Sequence, residues 1–197
     1  MMGDDAYDEP QPALGRVLDE GRGSLPYSLI HGEALVACAA WALGEAGATP
    51  IDVGASWSGV RTSGEPFVLH DSLCPMTPPA FIAACVRRAV EAEVVVVGVR
   101  PVTDTIRVVE DGFVGSDVDR DGLAAVCSPV VLPPSVLRSM AEPPGDDLVA
   151  FVAGLPDDVA VELVAAPPAA RRVSSAEEVR LLEALTAEAR APGPRGR

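Results

Sequence analysis

Two apolar runs in this chain end in groups that can hold a polar ligand. Residues 66–71, Pro-Phe-Val-Leu-His-Asp, close on an imidazole and a carboxylate. The run Val94-Val95-Val96-Val97-Gly98-Val99 passes through Arg100 and Pro101 into Thr103-Asp104-Thr105, two hydroxyls around a carboxylate. An unbroken β-branched run suits a strand covered on both faces, as in a parallel sheet flanked by helices. In such sheets ligands sit beyond the carboxyl ends of the strands, where these polar residues fall. Simpler roles compete. Asp104 can cap a turn after Pro101, and His70 reads better as a strand residue hydrogen-bonded into the fold than as a catalytic base. Gly21-Arg22-Gly23-Ser24 reads by itself as a flexible turn, and Cys74 reads as an inert thiol.

Composition narrows the classes. The chain has 197 residues, 48% of them apolar, enough for one domain with a substantial core. Its net charge of −14 argues against nucleic acid or an acidic membrane surface as a partner. All 15 basic residues are arginine, so a mechanism that needs a catalytic lysine is excluded. The cysteines, Cys38, Cys74, Cys85 and Cys127, lack C-x-x-C spacing, and Cys38 and Cys85, in apolar helical contexts, read as small buried hydrophobes rather than zinc ligands. No apolar stretch approaches the roughly 20 residues of a membrane helix, and no targeting segment is evident. The expectation is a soluble, cytoplasmic protein.

Residues 1–25, rich in Asp, Glu, Gly and Pro, read as an acidic, disordered lead-in without a convincing strand. A single domain is expected over 26–190, and a flexible tail over 191–197. Helical spacing begins after Gly32 and ends at Gly44 or Gly47. Strands are expected at 50–54, 66–71, 92–99, 105–109, 112–119, 124–132 and 159–164, with 55–65 as loop. Helices are expected at about 79–91, near Pro134, at 146–154, and at 174–190 behind a Ser-x-x-Glu capping box. Glu110-Asp111-Gly112 marks a hairpin turn. Asp146-Asp147 and Asp157-Asp158 read as turn and helix-start residues rather than paired catalytic acids. Helix–strand alternation with a hairpin excursion gives an α/β fold, its mostly parallel sheet flanked by helices.

The segment Phe67–Val109 resembles the central part of the methylerythritol-phosphate cytidylyltransferases of isoprenoid biosynthesis. In that family one strand ends in His-Asp-Ala-Ala-Arg-Pro, and the next leads to Pro-Val-x-Asp-Thr-(Ile/Leu)-Lys. The likeness continues through "VDRDGLAAVCSPVVL" and ends at "RRVSSAEEVRLLEAL", covering roughly residues 66–186. It implies a Rossmann-like nucleotidyltransferase fold and a homodimer joined by a projecting β-hairpin arm, here about 105–122. It also implies a reaction in which a phosphosugar oxygen attacks the α-phosphate of CTP with Mg2+ assistance and pyrophosphate leaves.

Carried over by residue, the resemblance places Asp104, Thr105, Ser128 and Arg172 around a phosphorylated sugar alcohol. Arg120 is the arm arginine that reaches the substrate phosphate across the dimer. Asp71 faces the nucleotide and holds the metal, and Arg22 and Gly23 echo the glycine-rich triphosphate loop. The nucleotide side departs from the pattern: Tyr27 stands where the family has lysine, and Cys74 where it has arginine. The stretch before Phe67 is short, with Gly59-Val60-Arg61 as a remnant. Arg16 or Arg22 could stand in for the missing cations. Three outcomes are therefore open: a working cytidylyltransferase, a dimerising pseudoenzyme, and a phosphosugar-binding module. Weakened or lost activity is expected.

Overall fold

The computed structural model describes residues 10–51, 54–101, 107–110, 113–117 and 123–190. In chain order these form β1 (Ala13–Leu18), β2 (Leu29–Ile30), β3 (Glu33–Ala34), α1 (Leu35–Glu45), β4 (Ala48–Pro50) and α2 (Trp57–Thr62). There follow β5 (Phe67–Asp71), α3 (Pro79–Ala92), β6 (Val95–Pro101), β7 (Arg107–Glu110), β8 (Phe113–Asp117) and β9 (Ala124–Leu132). The chain continues through α4 (Pro134–Ser139), α5 (Leu148–Ala153), β10 (Val161–Ala165) and α6 (Ala176–Arg190).

Six strands form one sheet in the order β10-β6-β9-β5-β1-β4, and only β9 runs against the others. The expected mostly parallel α/β sheet is thus present. Strand periodicity divides its core between two faces. Val68, Val96 and Val131 face α1 and α3, joining Leu43, Ile82, Val86 and Ala89. Phe67, Leu69, Val95, Val97, Val130 and Leu132 face the other way, onto Val60 of α2, Leu137 of α4 and Leu148 of α5. Burial on both sides is why these strands read as continuous hydrocarbon. A third cluster, with Ile30, Leu35, Leu73, Val173, Val179 and Leu182, seats α6. Half of the expected capping box is formed there: Ser175 Oγ accepts from the Glu178 amide, while the Glu178 carboxylate accepts from the Ser174 amide, one residue before the cap. β7 and β8 pair with each other as a separate antiparallel ribbon, in the region expected for the arm.

Three expectations are corrected. Residues 13–25 are not a loose lead-in: β1 lies between β4 and β5, and Gly15 is part of the reason. A Cβ on Gly15 would meet Leu43 Cδ2 at 2.8 Å, so the missing side chain lets α1 close on the sheet. The segment 55–65 is not all loop, because α2 forms where Trp57 packs edge-on against Phe67 and Val60 is buried. The strand expected at 50–54 lies earlier, at Ala48–Pro50. Residues 1–9 and 191–197, expected as lead-in and tail, lie outside the described residues.

Gly98 interrupts the valine run for a related reason. Its register with β9 shifts between Val97 and Val99, and a Cβ there would stand 2.9 Å from the Ser128 carbonyl oxygen. The obstacle is backbone and cannot swing aside. Gly98→Ala should destabilise the protein by about 1–3 kcal/mol, the usual cost of overpacking. Urea unfolding with an unchanged m-value would measure it.

Candidate functional site

The sheet's directions bring distant segments to one edge. The carboxyl ends of β1 and β5 and the amino end of β9 meet there, and the segment after β10 returns to the same place. Ser72 fixes β5 to β1, since both its amide and its hydroxyl donate to the Leu18 carbonyl. The Val173 amide donates to the Leu73 carbonyl at 2.8 Å while its side chain is fully buried under α6. That pins the neighbouring Arg172 beside Asp71. The cavity at this edge measures about 670 Å3 and is lined by Arg22, Asp71, Cys127, Asp146, Asp147 and Arg172 among others.

Asp71 is the centre of the arrangement. Its Oδ1 accepts from Arg22 Nε at 2.7 Å and from the Leu73 amide at 2.9 Å. Its Oδ2 accepts from Arg172 Nε at 2.9 Å. Burial opposes ionisation, but the hydrogen bond from Arg22, the Leu73 amide and Arg172 together hold the carboxyl below its ordinary range. Asp71 is ionised, buried and bridged by two guanidinium groups.

The two arginines differ. Arg22 uses every nitrogen of its guanidinium, with Nε on Asp71, Nη1 on the Glu20 carbonyl and Nη2 on the Asp146 carbonyl. Its side chain is 8% exposed. Gly21 and Gly23 on either side have φ of +71° and +60°, a left-handed conformation that costs other residues about 1–2 kcal/mol each. The double reversal turns Arg22 inward. Arg172 reaches Asp71 through Nε alone, and its side chain is 43% exposed at the cavity wall. Arg16, the other candidate stand-in cation, pairs with Asp146 Oδ1 at 2.8 Å.

Behind Asp71 the groups face inward. Ser128 Oγ accepts from the Asp71 amide at 3.0 Å and hydrogen-bonds His70 Nδ1. Both side chains are fully buried. Ser128, expected to touch substrate, joins β9 to β5 through these bonds. His70 is held in the fold, as its strand position suggested; burial lowers its pKa to about 4, against a weaker pull from Asp71. Cys74 is also buried, and burial raises its thiol well above the ordinary range, reinforced by Asp71 and Cys127. Tyr27 points its hydroxyl to Asp19 Oδ2 at 3.1 Å. Asp147 caps α5 by accepting from the Val149 and Ala150 amides. Gly23 is exposed, next to the cavity-lining Arg22. Asp104, Thr105 and Arg120 lie outside the described residues.

The expected Mg2+ does not fit this arrangement. Arginine and amide donors fill three of the roughly four acceptor sites of Asp71, and the two guanidiniums beside it repel a second cation. What the edge offers is a half-open guanidinium oriented by a buried carboxylate, suited to a small anionic group. The Arg16–Asp146 pair joins segments far apart in the chain, and Arg22 reaches Glu20 through a backbone carbonyl, so neither carries a local sequence signal. The glycines flanking Arg22 were the one available clue.

His70 supplies a pH test. An unfolded histidine takes up a proton near pH 6.5, whereas the folded one resists until about pH 4. The unfolded state therefore binds more protons between those values, and stability falls as pH is lowered through that window, by about 3 kcal/mol. Denaturant unfolding at pH 7, 6, 5 and 4 should show this decline, and His70→Gln should flatten it.

Residues 53–164 match the family model for 2-C-methyl-D-erythritol 4-phosphate cytidylyltransferase. Relatives described by that same name include one from Saccharopolyspora erythraea, 32% identical over 123 residues, covering 61% of this chain and 54% of the relative. Another, from Nocardia farcinica, is 33% identical over 122 residues, covering 60% of this chain and 52% of the relative. The chain spans about half the length of the curated relatives it matches. Among solved structures, 2-C-methyl-D-erythritol 4-phosphate cytidylyltransferase from Thermus thermophilus superposes with a TM-score of 0.63 at 20% identity, covering 90% of this chain and all of that one. The 4-diphosphocytidyl-2C-methyl-D-erythritol synthase of Anaerococcus prevotii gives 0.62 at 12% identity, covering 90% and 97%. The folds coincide, and with the family model matching more than half its length, the chain belongs to the 2-C-methyl-D-erythritol 4-phosphate cytidylyltransferase family.

Proposed function

We propose that this chain is a cytidylyltransferase-family protein that binds a phosphorylated sugar alcohol, methylerythritol phosphate by resemblance, and whose transfer of CMP from CTP is weakened or lost. The observation that carries this reading is the unequal commitment of the cavity's two arginines. Arg22, on the triphosphate side, is sealed by three intramolecular acceptors, while Arg172, on the phosphosugar side, keeps part of its guanidinium open to the cavity. Cys74, at the family's arginine position, is a buried neutral thiol, and Tyr27, at its lysine position, has no charge to offer. A charge-assisted contact contributes about 1.5–3 kcal/mol. Two such losses weaken triphosphate binding by about 10²–10⁴-fold. The antiparallel β7–β8 ribbon supports an arm through which the chain pairs with a second copy.

A working cytidylyltransferase is the second reading. Its support is β1 itself, which runs directly into Gly21-Arg22-Gly23 as a strand feeding a glycine loop.

Calorimetry separates the two. Methylerythritol phosphate should bind, and Arg172→Ala should weaken that binding at least tenfold. CTP with MgCl2 should give no saturable heat below millimolar concentration, and no pyrophosphate should be released from the mixture. Micromolar CTP binding followed by pyrophosphate release would overturn the first reading in favour of the second.

A further inference from the structure

The Arg22 guanidinium occupies the coordination space of the one carboxylate that the family resemblance would give to a metal. We propose that Arg22 is the resident cation of this site: it fills, from within the chain, the place at Asp71 that a divalent ion would need, so that anion binding in the cavity proceeds without a metal. The clause on anion binding rests on the function proposed above; the clause on the metal does not.

Three observations support it. Asp71 Oδ1 receives two donors, Arg22 Nε and the Leu73 amide, and Oδ2 receives Arg172. Three of the carboxylate's roughly four acceptor sites are thus filled, and a divalent ion bound there would lie against two guanidiniums whose like charge opposes it. The Glu20 and Asp146 carbonyls hold the other two nitrogens of the same guanidinium, so Arg22 is fixed at all three. Finally, the side chain is locked rather than draped. The two left-handed glycines aim it, and both Arg22 and Asp71 are nearly closed to water, at 8% and 5% exposure. Arg22 thereby ties three segments together: the loop after β1, the end of β5 and the turn before α5.

The test is a manganese count. Free Mn2+ is followed by electron paramagnetic resonance as it is titrated into wild type, Asp71→Asn and Arg22→Gln. Comparison among variants removes the weak surface binding that a chain of net charge −14 shows in any case. Wild type and Asp71→Asn should take up the same number of ions, and folded Arg22→Gln should take up one more. If wild type binds one ion more than Asp71→Asn, or if folded Arg22→Gln gains none, the assignment is wrong. Should Arg22→Gln fail to fold, the wild type against Asp71→Asn comparison decides alone. Absence of heat with methylerythritol phosphate would remove the proposed function and leave the ion count standing.

Discussion

Asp71 carries its negative charge almost out of water, and a charge so placed persists only where cations and amide donors surround it. Much of the sheet's carboxyl edge can be understood as the means of surrounding it. The loop after β1 reverses twice through left-handed glycines to deliver Arg22. The segment after β10 is anchored through Val173 to deliver Arg172. β9 contributes Ser128, whose hydroxyl receives the Asp71 amide and steadies the preceding histidine. Removing either partner of such a buried pair costs about 3–5 kcal/mol because the other is left uncompensated. The edge is therefore one cooperative unit rather than a set of separate side chains facing a ligand.

That unit is the physical basis of the function proposed for this member of a nucleotidyltransferase family. A guanidinium at Asp71 neutralises the carboxylate without a metal and closes the glycine loop onto the protein's own carbonyls. The bonds that stabilise the loop engage all three nitrogens of its arginine within the protein. Arg172, bound through one nitrogen, remains turned to the cavity. Acidic neighbours at the rim, Asp146 and Asp147, are themselves occupied, one by Arg16 and one by the first amides of α5.

The parts of the fold that were legible in the sequence are those whose signal is local. β5, β6 and β9 are unbroken apolar runs because both faces are buried, and α6 announces itself through Ser175 and Glu178. β1 was not legible. Its buried positions are Ala13, Gly15 and Leu18, and the first two are small because α1 lies close, not because they favour a strand. An acidic, glycine-rich neighbourhood surrounds them. α2 was hidden likewise by Ser, Gly and Thr, since its helix depends on Val60 and on Trp57 meeting Phe67. At the site, motif singled out Asp71 and Arg172, which the fold brings into contact, and context pointed to the inert Cys74 thiol, which is buried. Ser128 could be found but not its direction, because which side of β9 faces the cavity depends on the pairing with β5. The sealing of Arg22 depends on carbonyls of Glu20 and Asp146, and a backbone acceptor leaves no trace in a sequence.

The most direct measurement is nitrogen–proton NMR of the arginine Nε–H groups, assigned through Arg22→Lys and Arg172→Lys. As CTP and MgCl2 are added up to millimolar concentration, the Arg22 Nε–H should stay slow to exchange and unshifted, still bonded to Asp71. A saturable shift or loss of protection at Arg22 on adding CTP would show that the triphosphate can claim this arginine, and would contradict the account.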